Sequence, residues 1–390
     1  MQPSPTLSRT RGNLALFSLF LATFVLGSTE LMIVGVLDLM AADTGVTVST
    51  AGILVTAYAL GLAIGGPALT AATIRLHRRT LLWACMLAFV LATLTMVITT
   101  SFELLLVARA VAGSLHGAFV GAAFAAVGSL VPADRMGRAI AIVMGGIAVS
   151  TAMGVPIGTL IGRNLGWRGG FIVIVAVGAL VLVGLLVLLP AVAGGGAEVG
   201  LRAQVRSAFA PRVLVMLAVG VLLLGGQFTV FTYITPFLLQ VTGISDAAVS
   251  GFLLAYGVAT AIGTFAGGWA ADRDAPRTLL VANVVLVVSL GLLYLTGAIP
   301  ILAAVALLVW GLVGFGLVPS LQYQVATPAG PARDLAASLP ASAVNAGIAA
   351  GALLGGWVLT SGLSAVVVAG MLMCLACLPL TWLTARWTAR

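Results

Sequence analysis

Two segments of this chain, 198 positions apart, are related copies. Residues 57–82 read AYALGLAIGGPALTAATIRLHRRTLL, and residues 255–280 read AYGVATAIGTFAGGWAADRDAPRTLL, with 12 identities in 26 positions and no gap. The same offset aligns Gly27 with Gly225. A repeat of this length indicates that one structural unit occurs twice, so the sequence predicts two similar halves in parallel order.

The composition requires that most of the chain be surrounded by lipid. Hydrophobic residues make up 61% of the 390 residues and charged residues only 7%, whereas a soluble surface needs roughly 25% charged residues. Apolar runs near the roughly 20 residues that span a bilayer recur throughout. We predict an all-α integral membrane protein with twelve transmembrane helices, at about 14–41, 50–73, 80–100, 102–130, 139–162, 168–190, 213–240, 248–270, 278–297, 299–324, 335–360 and 363–385.

The basic residues predict the orientation of these helices. All 18 are arginine, and arginine concentrates in short cytoplasmic loops. With the N-terminus inside, Arg163 and Arg168 fall outside and Arg109 lies within a span. We therefore predict a multi-pass protein of the bacterial inner (plasma) membrane with both termini in the cytoplasm. The cytoplasmic arginines are Arg9, Arg11, Arg75, Arg78, Arg79, Arg135, Arg138, Arg202, Arg206, Arg212, Arg273, Arg277, Arg333, Arg386 and Arg390.

The net charge of +8 follows from this orientation. The arginines are spread over seven short segments instead of one patch, which argues against nucleic-acid binding. A stretch that is first Gly-rich and then amphipathic, at 191–211, is typical of a cytoplasmic linker. We predict a six-helix bundle at 1–190, the linker at 191–211 and a second six-helix bundle at 212–390, in a protein that acts as a monomer.

The three cysteines, Cys85, Cys374 and Cys377, all lie in apolar spans. The last two have C-x2-C spacing, but a metal site needs further ligands, and the same spacing places two small apolar residues on one helix face. We interpret them as packing residues and predict no metal site.

Glu30 is the first candidate for function, because a charge at the bilayer centre costs a few kcal/mol or more unless it faces a cavity or a partner. It lies in LGSTELMIVG, about 11 residues or ~16 Å of helical rise from the outer end of the first span. Under the 198 offset it aligns with Phe228, so the two halves differ here. Glu30 is either the coupling carboxylate of a single pathway or a structural residue neutralised by an arginine.

Two further candidates lie in the fourth span, within ELLLVARAVAGSLHG. Arg109 lies roughly 10 Å below the outer start of that span, near the depth of Glu30. His116 follows two helical turns later on the same face, and histidine can change its charge at working pH. His116 is either a proton-coupling residue or a neutral histidine hydrogen-bonded between small residues.

Asp38 follows Glu30 by eight residues, close to the same helix face and near the outer boundary. Its counterpart in the second half is Pro236. It is a candidate outer gate acid or second protonation site, and the alternative is a hydrated residue at the interface.

Glycine and proline mark the fifth span of each half. Span 5 reads GGIAVSTAMGVPIGTLIG, and its glycines let a neighbouring helix approach closely, while Pro156 permits a bend. We expect Gly154 and Gly158 to pack against a helix of the other half. The two glycine series are Gly146, Gly154, Gly158 and Gly162 in span 5, and Gly347, Gly351 and Gly355 in span 11.

With these motifs, the chain resembles the major facilitator superfamily, and within it the twelve-helix drug:proton antiporters, over essentially its full length. Span 5 is similar to the antiporter motif of that group at Gly146, Gly154, Pro156 and Gly158. LLLVARAVAGSLHGAF resembles the fourth-helix motif, whose arginine corresponds to Arg109 and is implicated in proton coupling.

A subgroup resemblance rests on LGSTELMIVGVLDLMAADTGVTVSTAGILVTAYALG and FTYITPFLLQVTGIS. These segments are similar to chloramphenicol exporters, sugar or arabinose-related exporters and purine-ribonucleoside exporters. Those relatives often have proline where Asp38 stands, so Asp38 departs from their pattern.

The resemblance also implies gates in the cytoplasmic loops. GGPALTAATIRLHRRTLL takes the place of the superfamily loop G-x-x-x-D-R-x-G-R-R, with Ile74 at the position of the aspartate, whereas the second half keeps the acid–base pair. The segment DRMGR in the next cytoplasmic loop supplies a related charge cluster. The gate residues implied are Arg75, Arg78, Arg79, Asp134, Arg135, Arg138, Asp272 and Arg273.

The repeat, the embedded charges and the resemblance together predict an alternating-access transporter. It would export a small organic compound, such as a drug, an antibiotic or a metabolite of chloramphenicol-like character, in exchange for protons. A proton-coupled importer or facilitator of a metabolite is the alternative, against which the glycine pattern of span 5 argues. The family arrangement implies that helices 1, 4, 7 and 10 line the cavity, and the substrate-binding candidates are Gln227, Tyr233, Trp310, Phe315 and Asn345.

In the predicted cycle, Glu30 takes a proton from outside and releases it towards the cytoplasm, and Arg109 stabilises the ionised carboxylate. A membrane-embedded prenyl transferase would need clustered aspartate pairs for metal-bound pyrophosphate, and the one close acid pair, Asp272 and Asp274, lies in a short loop. The sequence also has no G-x-x-x-x-G-K-[ST] loop for ATP. We therefore expect neither enzymatic activity nor a cofactor.

Overall fold

The computed structural model describes residues 9–73, 76–131, 135–190, 211–326 and 333–387. In these ranges, eleven helices are long and apolar enough to cross a membrane. The longest, Asp246–Thr296, contains two spans, because its backbone leaves the helical conformation at Asp274 (φ −156°, ψ 85°), two residues before Pro276. The twelve predicted spans are thus present as helical segments. Ile74, Arg75, Asp134 and the linker residues 191–210 lie outside the described residues.

The spanning helices follow one another with short connections. They are α1 (Arg9–Thr44), α2 (Val48–Leu60, a π-helical turn at Gly61–Gly65, and Gly66–Ala72), α3 (Arg78–Ile98), α4 (Phe102–Leu130), α5 (Met136–Val149, a π-helical turn at Ser150–Gly154, and Val155–Leu165), α6 (Trp167–Leu188), α7 (Pro211–Phe231 and Ile234–Gln240), α8 and α9 (the parts of Asp246–Thr296 before and after Asp274), α10 (Pro300–Gly314 and Val318–Ala326), α11 (Arg333–Val358) and α12 (Leu363–Ala376 and Leu378–Trp387).

The three-dimensional structure confirms the repeat. Gly45 ends α1 with φ 68°, and Gly243, 198 positions later, follows α7 with φ 71°, a conformation that favours glycine. Gly311 lies so close to α8 that a Cβ there would be 2.8 Å from the carbonyl oxygen of Tyr256. Its counterpart Gly113 lies even closer to the carbonyl oxygen of Tyr58. The same interhelical contacts therefore occur in both halves.

Burial distinguishes central helices from peripheral ones. The first helix of each half, α1 or α7, is the most buried, and the last, α6 or α12, is the least. Leu180 and Val187 of α6 are about three-quarters exposed, as expected for side chains that face lipid tails instead of water. The helix that carries Glu30 is thus enclosed by protein.

The glycines of α5 pack against α1, so our expectation of a contact with the other half is wrong for Gly154 and Gly158. A Cβ on Gly158 would lie 2.6 Å from Cγ of Met32, and one on Gly154 would lie 3.0 Å from Cβ of Ser28. In the second half, Gly347 contacts α7 in the same way. The glycine series serves each half internally because it lets the fifth helix lie directly on the first.

The N-terminal half (residues 9–190) meets the C-terminal half (211–387) near the end of the bundle where α1 finishes, which we call the Thr44 end. Ser49 Oγ of α2 donates to the carbonyl oxygen of Gly356 of α11 at 2.6 Å. Gly257 of α8 packs against Ala152 in the π-helical turn of α5. Two helix pairs, α2 with α11 and α5 with α8, therefore hold the Thr44 end closed.

Candidate functional site

Arg109 is the most deeply buried charge near the middle of the bundle, with no exposed surface. Its Nε donates to the carbonyl oxygen of Leu54 at 3.1 Å, and its two terminal nitrogens donate to the carbonyl oxygens of Thr29 at 2.8 Å and Glu30 at 3.2 Å. Its Cζ also lies 4.2 Å from the centre of the Tyr58 ring. The guanidinium therefore connects α4 to the backbones of α1 and α2.

Backbone irregularity in α2 brings these helices together. The π-helical turn begins at Gly61, where a Cβ would clash with the carbonyl oxygen of Ala110 beside Arg109. Glycine is needed here because the two backbones touch. π-Helical turns inside α-helices often occur at functional sites, and this one lies one turn from Tyr58.

Glu30, His116 and Tyr58 form a hydrogen-bonding cluster beside the guanidinium. Nδ1 of His116 lies 3.5 Å from Oε2 of Glu30 and 3.0 Å from the hydroxyl of Tyr58. That hydroxyl also lies 3.2 Å from the carbonyl oxygen of Leu26. Arg109 contacts the backbone of Glu30, whereas His116 is the nearer partner of the Glu30 carboxylate. The predicted set Glu30, Arg109 and His116 is thus brought together by the fold.

The cluster lies where the two halves meet. A small crevice beside Glu30 is lined by Tyr58 and Arg109 of the N-terminal half and by Phe228 and Ile348 of the C-terminal half. Phe228 is the repeat counterpart of Glu30 and faces it across this crevice. About 18% of the Glu30 side chain is exposed. A change in the distance between the halves would therefore change the surroundings of this carboxylate.

The second half replaces the polar cluster by an aromatic one. Tyr256, the counterpart of Tyr58, stacks on Phe231 with ring centres 4.8 Å apart and meets Trp310 edge-on at 5.4 Å. Trp310 Nε1 donates to Oε1 of Gln227, whose amide nitrogen donates to the carbonyl oxygen of Gly314. Gln227 and Trp310 are each about 1% exposed. They thus bond to each other inside the half in this conformation.

The other predicted cavity residues have mixed surroundings. Tyr233 is buried and donates to the carbonyl oxygen of Ala352 at 3.0 Å, close to Gly52 of the other half. Phe315 is partly exposed. Asn345 donates to its own helix, while its buried Oδ1 has no partner. Asn345 does not line the crevice beside Glu30 in this conformation.

Asp38 lies away from the cluster. Its Oδ1 accepts from Arg163 at 2.8 Å, near the Thr44 end. The gate-loop residues also lie elsewhere: Arg79 donates to the carbonyl oxygen of Leu186, and Arg273 stacks on Trp269. Cys374 and Cys377 are buried against the backbone of α7.

Tyr58 is the site residue that sequence reasoning missed. A tyrosine in an apolar span is ordinary, so polarity alone does not single it out. The repeat carried a signal, because Tyr58 and Tyr256 are identical in the two copies. The backbone carbonyl groups that bind Arg109 could not be found from the sequence, since every residue has a backbone carbonyl group.

Comparison with known proteins identifies the family. Residues 19–334 match the model of the Major Facilitator Superfamily. The chain belongs to this superfamily. It is therefore a multi-pass membrane transporter that acts on small molecules, and it is not an enzyme. The resemblance found in the sequence and the predicted fold are confirmed.

Relatives within the superfamily include a transport protein and a resistance protein. The chain is 33% identical to the inner membrane transport protein YdhP of Escherichia coli (strain K12) over 96% of each chain. It is also 33% identical to a chloramphenicol resistance protein of Streptomyces lividans, over 94% of this chain and 95% of that protein.

A solved structure has the same fold. It is a bacterial homologue of the human lysosomal transporter Spinster, in an inward-facing and unoccupied conformation, with a TM-score of 0.83, 16% identity, and coverage of 97% of this chain and 98% of that one.

Proposed function

We propose that this transporter exports a small organic compound from the bacterial cytoplasm across the inner membrane in exchange for protons. One observation carries the proposal: among the acidic side chains that the structure describes, Glu30 alone lies in the middle of the bundle, where the two halves meet. A buried carboxylate at a moving interface can couple its protonation to that movement.

His116 and Tyr58 provide a way to adapt to either state of Glu30. When Glu30 is ionised, a proton on Nδ1 of His116 faces the carboxylate, and the Tyr58 hydroxyl donates to Leu26. When Glu30 is protonated, the hydroxyl can donate to Nδ1 instead. The histidine then holds its proton on the other ring nitrogen. Arg109 favours the ionised state because it places positive charge beside the backbone of Glu30.

Both the arginine distribution and the contacts between the halves indicate the conformation. If most arginines are cytoplasmic, the Thr44 end faces the outside. Because the halves touch at that end, we assign the described conformation as closed to the outside. The similarity to a structure titled inward-facing supports this assignment.

The surroundings of the crevice favour a neutral or modestly polar compound. Leu31, Val55, Phe228 and Ile348 contribute apolar surface, and Glu30 and Arg109 contribute one charge of each sign. Small-molecule sites are commonly apolar with a few placed polar groups. Chloramphenicol, named in the description of one relative, fits this class.

Resistance measurements test the export assignment. A bacterial host that lacks its own exporters would express the wild-type chain and be grown on a panel of amphiphilic antibiotics that includes chloramphenicol. We expect the wild type to raise the inhibitory concentration of at least one compound and Glu30→Gln to give no protection at equal expression. Glu103→Gln is the matched control, because Glu103 is exposed at the start of α4. Equal protection by Glu30→Gln and the wild type, or no protection by either, would contradict the proposal.

A further inference from the structure

Arg163, near the end of α5, is held by groups from both halves. Its Nε donates to the carbonyl oxygen of Gly35 at 3.1 Å, and one terminal nitrogen donates to Asp38 at 2.8 Å, both in α1. The other terminal nitrogen donates to Asp246, in the first turn of α8. The Arg163 side chain is 3% exposed, whereas Asp38 is 24% and Asp246 is 59% exposed. One buried cation therefore has one carboxylate partner in its own half and one in the other.

The two carboxylates differ in what happens when the halves separate. Asp246 moves away with the C-terminal half, while Asp38 stays with Arg163 because α1 and α5 pack together through glycines. A buried charge left without a partner is strongly unfavourable. Because Asp38 remains paired with Arg163, the contact between Arg163 and Asp246 can break without leaving the buried guanidinium without a carboxylate partner.

We propose that these three residues form a latch at the Thr44 end, in which Asp246 favours the closed conformation and Asp38 makes the open conformation accessible. Two other ion pairs in the described part of the chain differ in this respect: Arg168 with Asp43, and His116 with Glu30, lie within the N-terminal half. The neighbouring contact between Ser49 and Gly356 is uncharged. The two halves are thus held together at the Thr44 end by uncharged packing, and the latch adds a charged contact between them. It does not depend on proton coupling at Glu30.

The latch predicts opposite effects for the two carboxylates. Asp246→Asn removes an attraction that exists only in the closed conformation, so it should increase the open population. Asp38→Asn leaves Arg163 with Asp246 in the closed conformation but with no carboxylate in the open one, so it should decrease the open population. We expect a change of about fivefold in each direction, at the lower end of typical couplings. A pair that only stabilises the fold would give no such difference in sign.

The rate of cysteine labelling measures the open population. In a protein with Cys85, Cys374 and Cys377 replaced by alanine, Ser49→Cys reports opening, because Ser49 is bonded to the other half when the Thr44 end is closed. Thr47→Cys is exposed and controls for reagent access. The purified transporter in detergent would be treated with a hydrophilic maleimide. Asp43→Asn is the matched charge control, because Asp43 pairs with Arg168 of the same half.

The proposal predicts faster labelling of position 49 with Asp246→Asn, slower labelling with Asp38→Asn and little change with Asp43→Asn. Labelling of position 47 should be the same in all variants. Shifts of the same sign for Asp38→Asn and Asp246→Asn, or no shift for Asp246→Asn, would overturn it. If Asp38→Asn does not fold, Asp246→Asn still tests the proposal, because Asp246 is exposed. This variant must label faster at position 49 than Asp43→Asn does.

Discussion

At the scale of single residues, the Tyr58 hydroxyl can exchange one hydrogen-bond partner for another without any movement of the backbone. It lies 3.0 Å from Nδ1 of His116 and 3.2 Å from the carbonyl oxygen of Leu26. We expect Tyr58→Phe to fold normally and to slow proton-coupled efflux by about tenfold, because a lost buried hydrogen bond of roughly 1.4 kcal/mol corresponds to a factor of ten in rate. Cells would be loaded with the compound to which the transporter confers resistance, and its efflux from them would be measured.

Tyr256→Phe is the matched control for this variant, because Tyr256 is the repeat counterpart of Tyr58 and lies among aromatic rings. It should leave the efflux rate within about twofold of the wild type, because Tyr256 lies beside Phe231 and Trp310 of the C-terminal half and does not contact Glu30 or His116. Equal slowing by both tyrosine variants would mean that Tyr58 acts through packing alone.

The site residues differ in how far the sequence reveals them. Glu30, Arg109 and His116 were predictable because ionisable groups are costly in apolar spans and therefore conspicuous there. Gln227 and Trp310 were predicted as cavity residues, but the structure shows them bonded to each other. The sequence shows which side chains are polar. The hydrogen-bond partner of each side chain depends on distances that are defined only once the helices have packed.

At the scale of helices, small residues have two separate roles. Gly158 lets α5 lie against Met32 of α1, whereas Gly257 lets α8 lie against Ala152 of the other half. We expect Gly158→Leu to reduce the stability of the fold by roughly 1–3 kcal/mol, the usual effect of overpacking. We expect Gly257→Leu to keep the Thr44 end from closing, so transport should be lost with little change in the unfolding temperature.

Thermal unfolding of both variants in detergent, together with efflux from cells, tests this distinction. Each variant is the control for the other, because both add the same side chain to a helix in the membrane. Unchanged unfolding temperature for Gly158→Leu would contradict the role assigned to the α1–α5 contact. Normal efflux by Gly257→Leu would contradict the role of the α5–α8 contact.

Helix positions were largely predictable, and helix irregularities were not. The predicted spans lie close to the observed helices because hydrophobic length is dictated by the bilayer. The π-helical turns at Gly61–Gly65 and Ser150–Gly154 each precede a proline, at Pro67 and Pro156. Pro156 indicated a bend in α5, but the type of turn depends on which backbone groups the neighbouring helix supplies.

At the scale of the whole molecule, the repeat was the strongest predictor, and it also shows where the halves have diverged. Both halves use the same glycine contacts, yet one surrounds Glu30 with polar groups and the other surrounds Tyr256 with aromatic rings. Which end of the bundle is closed could not be predicted, because the same sequence must adopt both conformations during alternating access.

The central claim, proton-driven export through Glu30, is tested most directly in inverted membrane vesicles. Their interior would be acidified, and uptake of the compound identified by resistance would be followed in vesicles that contain the wild type, Glu30→Gln or Glu103→Gln. The account predicts accumulation by the wild type and by Glu103→Gln, release when the pH gradient is collapsed, and no accumulation by Glu30→Gln. Accumulation instead in right-side-out vesicles with acid outside, or gradient-driven uptake by Glu30→Gln, would contradict it.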